Sequence, residues 1–281
     1  MIPVFFDVRQ SVTTNKSTSP SAQKPAEVVA HWQLMKHPIT VMPFSPMTSE
    51  DLKLVHAPAY VDGILNCELP NGFGNTNAEV ATSLPWVSGS MVAATLYALK
   101  NQANSFSPTS GAHHAHYNKA VGFCTFNFLV LAAVKAQLAG AKRIGIIDLD
   151  MHYGDGTDDI IRKLGLNFVQ HYSFREHRPA CPRDSLKWLE RLPQYLGGFR
   201  DCDLILFNAG ADPHINDPLG GLLTTEQMYK RDLIVYGIVK TLGIPSVTSL
   251  AGGYQRDASG GIGPVLELHN NTMVAFRKVF E

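Results

Sequence analysis

The chain has 281 residues, 45% hydrophobic and 17% charged, a balance that excludes a disordered polymer and suits one large globular domain or two small ones. Lys+Arg and Asp+Glu are equal at 24 each, so composition offers no basic field for nucleic acid or for an anionic membrane surface. No apolar run reaches the roughly 18 residues of a membrane span, and Cys67, Cys124, Cys181 and Cys202 form neither a Cys-x-x-Cys metal grip nor a disulfide framework, so a reducing cytoplasm is the expected compartment.

From the amino terminus, "MIPVFFDVRQ" carries an apolar run that Asp7 breaks, too short for a signal-peptide core. "SVTTNKSTSPSAQKP" (residues 11–25) is polar and reads as a loop. "LPNGFGNTNAEV" (residues 69–80) is a glycine-punctuated loop ahead of a helix around residues 84–99. The first 80 residues show little regular alternation. Next comes "SPTSGAHHAHYNKAVGFC" (residues 107–124), where two histidines are adjacent and a third follows two positions on. Neighbouring side chains point to opposite faces of a strand and diverge by about 100° on a helix, so His113 and His114 are a poor pair of ligands for one metal. A solvated loop or a single buried structural histidine is the ordinary alternative.

The second half is more regular. Residues 125–140 and 224–243 read as helices closed by glycine, the latter opened by a threonine cap. Residues 141–150, 166–172, 202–210 and 244–253 are short apolar runs that end in Gly, Asp, Asn or His, as buried strands do. The alternation predicts an α/β fold, a single domain over residues 1–281 with a central, mainly parallel sheet flanked by helices on both faces. Ligand sites in such sheets gather outside the carboxyl ends of the strands, where residues 148–155, 208–217 and 252–257 concentrate polar side chains.

In "IIDLDMHYGDG" (residues 146–156), Asp148, Asp150 and His152 recur at every second position, which in an extended segment places them on one face. Two carboxylates and an imidazole suit zinc or ferrous iron. Asp155 follows between glycines. The competing reading is that these acids cap a helix starting near Thr157. In "NAGADPHINDPLGG" (residues 208–221), either Asp212 or Asp217 could complete a metal sphere, although both precede proline and each alone suits a turn.

Together "SGAHHA", "GFC", "DLDMHYGDG", "GADPHINDPLGG" and "LAGGY" resemble, in order, the motifs of the histone deacetylase family within the arginase/deacetylase superfamily. The resemblance implies one α/β catalytic domain with a narrow gorge leading to a single zinc ion. It implies Asp150, His152 and Asp212 as zinc ligands and His113 and His114 as paired catalytic histidines, oriented by Asp148 and Asp155 respectively. Tyr254 corresponds to the catalytic tyrosine that stabilises the oxyanion, with Gly252 and Gly253 allowing the backbone close to substrate. Gly122 and Phe123 correspond to the lining of the acyl-lysine tunnel. A structural potassium ion is compatible with the family pattern, although "VQHYSFREH" (residues 169–177) matches that loop poorly.

Leu219 falls where polyamine deacetylases carry a glutamate, and resembles the leucine of class II lysine deacetylases. The implied partner is therefore acetylated lysine in proteins or peptides, with a small acetylated amine such as an acetylpolyamine as the alternative. The His-Pro and Pro-x-Arg features of many relatives are replaced by "SAQKPAE" (residues 21–27), and residues 72–77 offer no rim acid. A two-manganese ureohydrolase needs a different acid–histidine order, and an inactive acyl-lysine-binding module would not need the complete set. No nucleic-acid or membrane partner is expected, a homo-oligomer is compatible with the sequence, and His116 receives no role.

Overall fold

In the strand β4 (Ile144–Asp148), side chains alternate between two apolar cores: Ile144 and Ile146 enter one, Ile147 the other. The neighbouring strand β6 (Leu204–Gly210) repeats this, with Leu204 and Leu206 on the first side and Ile205 and Phe207 on the second. A sheet buried on both faces requires such continuous apolar strands. The computed structural model describes residues 1–15 and 17–281. Among them β1 (Ile2–Phe5), β2 (Ile39–Met42), β3 (Ser105–Ser107), β5 (Val169–Ser173) and β7 (Ser246–Ala251) complete a seven-stranded sheet ordered β2-β1-β3-β7-β6-β4-β5. Every pairing is parallel.

One face is covered by α1 (Lys24–Leu34), α7 (Ser185–Tyr195), α8 (Thr225–Leu242) and α9 (Gly263–Phe280), whose Trp32, Trp188, Tyr236 and Phe276 share a core. The other is covered by α2 (Ser49–Leu52), α3 (Pro58–Leu65), α4 (Ala78–Asn101), α5 (Phe128–Leu138) and α6 (Asp155–Leu164), through Leu52, Val61, Met91, Leu129 and Ile160. The expected α/β architecture is therefore present, with a sheet wholly rather than mainly parallel.

The four strands expected in the second half all form, each starting two to three residues inside its apolar run. The threonine cap of α8 is real: Thr224 Oγ1 accepts from Gln227 N, Gln227 Oε1 accepts from Thr224 N, and Gly243 closes the helix at φ +66°. The helix expected around residues 84–99 begins earlier, because Asn77 Oδ1 accepts from Glu79 N and Val80 N. Strands β1, β2 and β3 lay unrecognised in the less regular half. β3 reads "SFS", and its serines are tolerated in the interior because Ser105 Oγ donates to Ala94 O and Ser107 Oγ pairs with Ser90 Oγ.

Candidate active site

The loops leaving β3, β7, β6 and β4, four adjacent strands, converge at one edge of the sheet. Arg231 of α8 ties two of these exits together. Its buried Nη1 donates to Leu149 O at 3.1 Å and Gly210 O at 2.7 Å, while Nε pairs with Asp232 at 2.8 Å. The charge is thus satisfied in the core, and the chain after β4 is fixed beside the chain after β6.

Strand β4 ends at Asp148, so the one-faced extended ladder expected for residues 148–152 is not what groups the acids. Asp150 and His152 lie in a bend beyond the strand. The bend turns them toward Asp212, and one ligand atom from each of the three lies within 4.8 Å of the others. His152 Nδ1 is 3.2 Å from Asp150 Oδ1 and 3.0 Å from Asp212 Oδ2. Burial, and then the neighbouring Asp150, push Asp212 up to about 7. Two buried carboxylates facing one another are the arrangement a cation relieves, and the donor set fits a divalent metal such as zinc. Asp217, the other candidate, turns away: its carboxylate accepts from Leu219 N at 2.9 Å and Tyr254 N at 2.7 Å.

The two adjacent histidines are held by different acids. His113 Nδ1 lies 2.7 Å from Asp148 Oδ2, and His114 Nδ1 lies 2.6 Å from Asp155 Oδ1. Asp155 is the first residue of α6, whose N-cap is Gly154, so its carboxylate is spent on His114 rather than on capping the helix. Asp148 is itself oriented, since Asn208 Nδ2 donates to its Oδ1 at 2.8 Å and Ser249 Oγ donates to Asn208 Oδ1 at 3.0 Å. Burial works to lower His113, but Asp148 and Asp150 outweigh it and hold the imidazole up to about 9. Burial and the charge of His113 push His114 down. Tyr254 is driven far above its ordinary value, by burial first and then by Asp212 and Asp150, so its hydroxyl keeps its proton as a donor.

A small cavity is bounded by Ser110, His113, Gly122, Asp150, Gly252 and Tyr254. Glycine is required at two of these positions. A Cβ on Gly122 (φ +56°) would stand 2.6 Å from His114 Cδ2, and one on Gly252 (φ +46°) would stand 2.2 Å from the Asp212 carboxylate. Phe123 follows in the same left-handed conformation at φ +64°, a costly state for a bulky residue, and its ring lies 5.8 Å from that of Tyr254 and 6.1 Å from that of Phe73. Leu219 stands exposed on the loop after β6. A Cβ on Gly253 (φ +91°) would stand 2.7 Å from Val265 Cγ1 and 3.0 Å from Ala211 Cβ. A larger groove of about 540 Å³ lies between α8 and the Pro193–Leu196 region, but it is lined by Leu196, Ile234, Ile238 and Leu242 and is remote from the acids and histidines.

Lys24 was overlooked in the sequence because the stretch around it matched no arginine-bearing motif. Its side chain is wholly buried, and Nζ donates to Gly252 O and to Ser110 Oγ. Burial pulls the amine down to about 8, with Asp212, Asp150 and Asp217 opposing the shift. It therefore anchors the backbone from which Tyr254 projects. A lysine inside a polar segment next to proline at the first turn of α1 was the available signal.

With this geometry in place, the histone deacetylase domain model matches residues 20–181, more than half of the chain. The chain belongs to the histone deacetylase domain family. An uncharacterized protein of Picosynechococcus sp. is 29% identical over 233 residues, covering 73% of this chain and 76% of that one. A probable deacetylase of Methanothermobacter thermautotrophicus is 29% identical over 177 residues, 53% of this chain and 52% of its own length. Among solved structures, the HD domain of HDA15 superposes with a TM-score of 0.78 at 21% identity, over 99% of this chain and 89% of that one. Acetylpolyamine aminohydrolase from Burkholderia pseudomallei gives 0.75 at 17% identity, over 99% of both chains. These structural likenesses show that this deacetylase-family chain has the fold anticipated from its motifs. Among the described residues, no helix is long and apolar enough to cross a membrane.

Proposed function

We propose that this deacetylase-family protein hydrolyses the acetyl amide of ε-N-acetyl-lysine, with one zinc ion held by Asp150, His152 and Asp212. The observation that carries the reading is an Asp–His–Asp donor set beside two adjacent, separately paired histidines, with Asp150, His113 and the proton-retaining Tyr254 lining one small cavity. When bound, zinc would polarise the amide carbonyl and lower the pKa of a water molecule.

The protein groups supply the rest. His114 has Nδ1 committed to Asp155, which leaves Nε2 to take a proton from water and return one to the departing amine. His113, bonded to Asp148 and with Nε2 3.6 Å from Asp150, places a second imidazole and its charge alongside. Tyr254 donates its hydroxyl to the oxygen on which negative charge develops. Gly122 and Phe123 bound the passage for the acyl-lysine stem.

For the amine carrier, Leu219 offers an apolar rim, and Asp217 beside it spends its carboxylate on Leu219 N and Tyr254 N rather than on a ligand's distant cation. That combination favours acetyl-lysine over an acetylpolyamine. Rates on acetyl-lysine peptides and on acetylspermidine, measured with zinc-loaded protein, test it. Higher kcat/KM on the peptides is expected. A tenfold preference for the polyamine would overturn the substrate, and no turnover on either would overturn the enzyme.

A further inference from the structure

The third histidine of "SGAHHAH" lies against the same acid as the second. His116 Nε2 is 3.4 Å from Asp155 Oδ2, while His114 Nδ1 is 2.6 Å from Asp155 Oδ1. One carboxylate thus stands between two imidazoles, one on each oxygen. The other nitrogen of His116 faces Asp159 Oδ2 at 3.5 Å, one turn further along α6. Asp159 in turn faces Arg162 at 3.6 Å through its second oxygen.

The seat of this ring is built from several directions. His116 N donates to Lys119 O at 2.9 Å, and Tyr117 N donates to Asp159 Oδ2 at 3.1 Å. His116 O accepts from Nδ1 of the buried His56 at 2.9 Å. The tautomer of His56 is dictated by its other nitrogen, which accepts from Asn127 N at 2.9 Å. Backbone contacts on both sides of His116 therefore aim its side chain at the first turn of α6.

The two histidine-bound acids differ in a way that gives this contact a purpose. Asp148 is inaccessible to solvent, and its second oxygen is held by Asn208. The Asp155 side chain is 46% exposed, and beyond His114 its inner oxygen receives only the N–H of Gly156. A half-exposed carboxylate with a free outer oxygen can rotate or bind water at the expense of its bond to His114. His116 occupies that outer oxygen.

We propose that His116 is a positioning residue that acts through Asp155, keeping its inner oxygen on His114 Nδ1. The inference rests on the deacetylase reading only in giving His114 a proton to move. It assigns the histidine left without a role by the motifs, and it gives the exposed acid a second contact, looser at 3.4 Å than the 2.8 Å hydrogen bond that Asn208 gives the buried one.

Double-mutant kinetics on an acetyl-lysine peptide test the proposal in the zinc-loaded full chain. His116→Ala is expected to lower kcat by roughly three- to thirtyfold, within the range of coupling between side chains in contact, with KM within about twofold of wild type. His116→Gln, which keeps an N–H donor, should recover part of the loss. In an Asp155→Asn background, His116→Ala should cost nothing further. An unchanged kcat in His116→Ala, or an equal loss in both backgrounds, overturns the proposal. Wild-type turnover separately tests the deacetylase reading. Should the wild type be inactive, the His114 imidazole ¹⁵N resonances decide instead: His116→Ala must shift them, and unmoved resonances sink the idea.

Discussion

Nδ1 of His113 lies 2.7 Å from the Asp148 carboxylate, and both side chains are buried. The neighbouring imidazole makes the same contact to an acid that is 46% exposed. Adjacent residues of one type are thereby pushed in opposite directions, His113 up to about 9 and His114 down. Opposed shifts in paired titratable groups are the usual mark of divided acid and base duties.

Tyr254→Phe removes one hydroxyl and no packing. Turnover should fall by about 10²–10³, the typical cost of losing one oxyanion donor, while zinc content and melting temperature stay at wild-type values. Full activity in the variant would remove Tyr254 from the reaction.

Asp212 is the donor that brings the β6 exit to the two donors on the β4 exit. Chelation should lower the wild-type melting temperature, because it leaves two buried carboxylates facing one another, and zinc should restore it. Asp212→Ala should fail to retain zinc after dialysis and should melt at the same temperature with or without chelator. Stoichiometric zinc in that variant, by elemental analysis, would place the ligand elsewhere.

Lys24→Met keeps the length of the buried stem but frees Gly252 O. The turn bearing Tyr254 should shift, so kcat should drop on the order of ten- to a hundredfold with zinc still bound. Equal kcat in Lys24→Met and wild type would mean that Asp217, through Tyr254 N, suffices to hold the turn.

His56 is depressed to about 4 by burial, against which its bonds to the carbonyls of His116 and Tyr117 work. The folded value lies below that of an unfolded histidine, so the unfolded chain takes up the extra proton first as pH falls. This contribution is whole above about pH 6.5 and is lost progressively as pH drops through 4, by about 3 kcal/mol in all. Denaturant titrations should show a shallower acid loss of stability in His56→Gln than in wild type over that window. Identical slopes would show that His56 does not titrate on unfolding.

Much of the site was legible because its residues sit where strands end, and strand ends are marked by a change from apolar runs to Gly, Asp and Asn. Asp150, His152, Asp212 and the two histidines were all named on that basis and on motif order; the first three lie within 4.8 Å of one another, and each of the two histidines has its own acid. The choice between Asp212 and Asp217 was not legible from turn chemistry, since both precede proline. It is decided by the direction of the loop after β6, which sends one carboxylate to His152 and the other to Tyr254 N.

The amino-terminal strands escaped notice for a different reason. β2 is a four-residue edge strand with two exposed positions, and β3 is three residues long with polar side chains satisfied by α4. Such segments are strands only because a neighbour supplies hydrogen bonds or cover. Lys24 belongs with them, since the proline beside it marks a helix start but not that its amine reaches Gly252 and Ser110.

Sequence alone therefore determined the second-half strands and the residue types of the site, because apolar periodicity, caps and turn formers act over a few positions along the chain. Only the tertiary structure decided that Lys24 reaches Gly252 across 228 positions and that His116 shares Asp155 with His114. Those pairings arise when parallel strands far apart in the chain close side by side, and sheet order is not encoded in any local spacing.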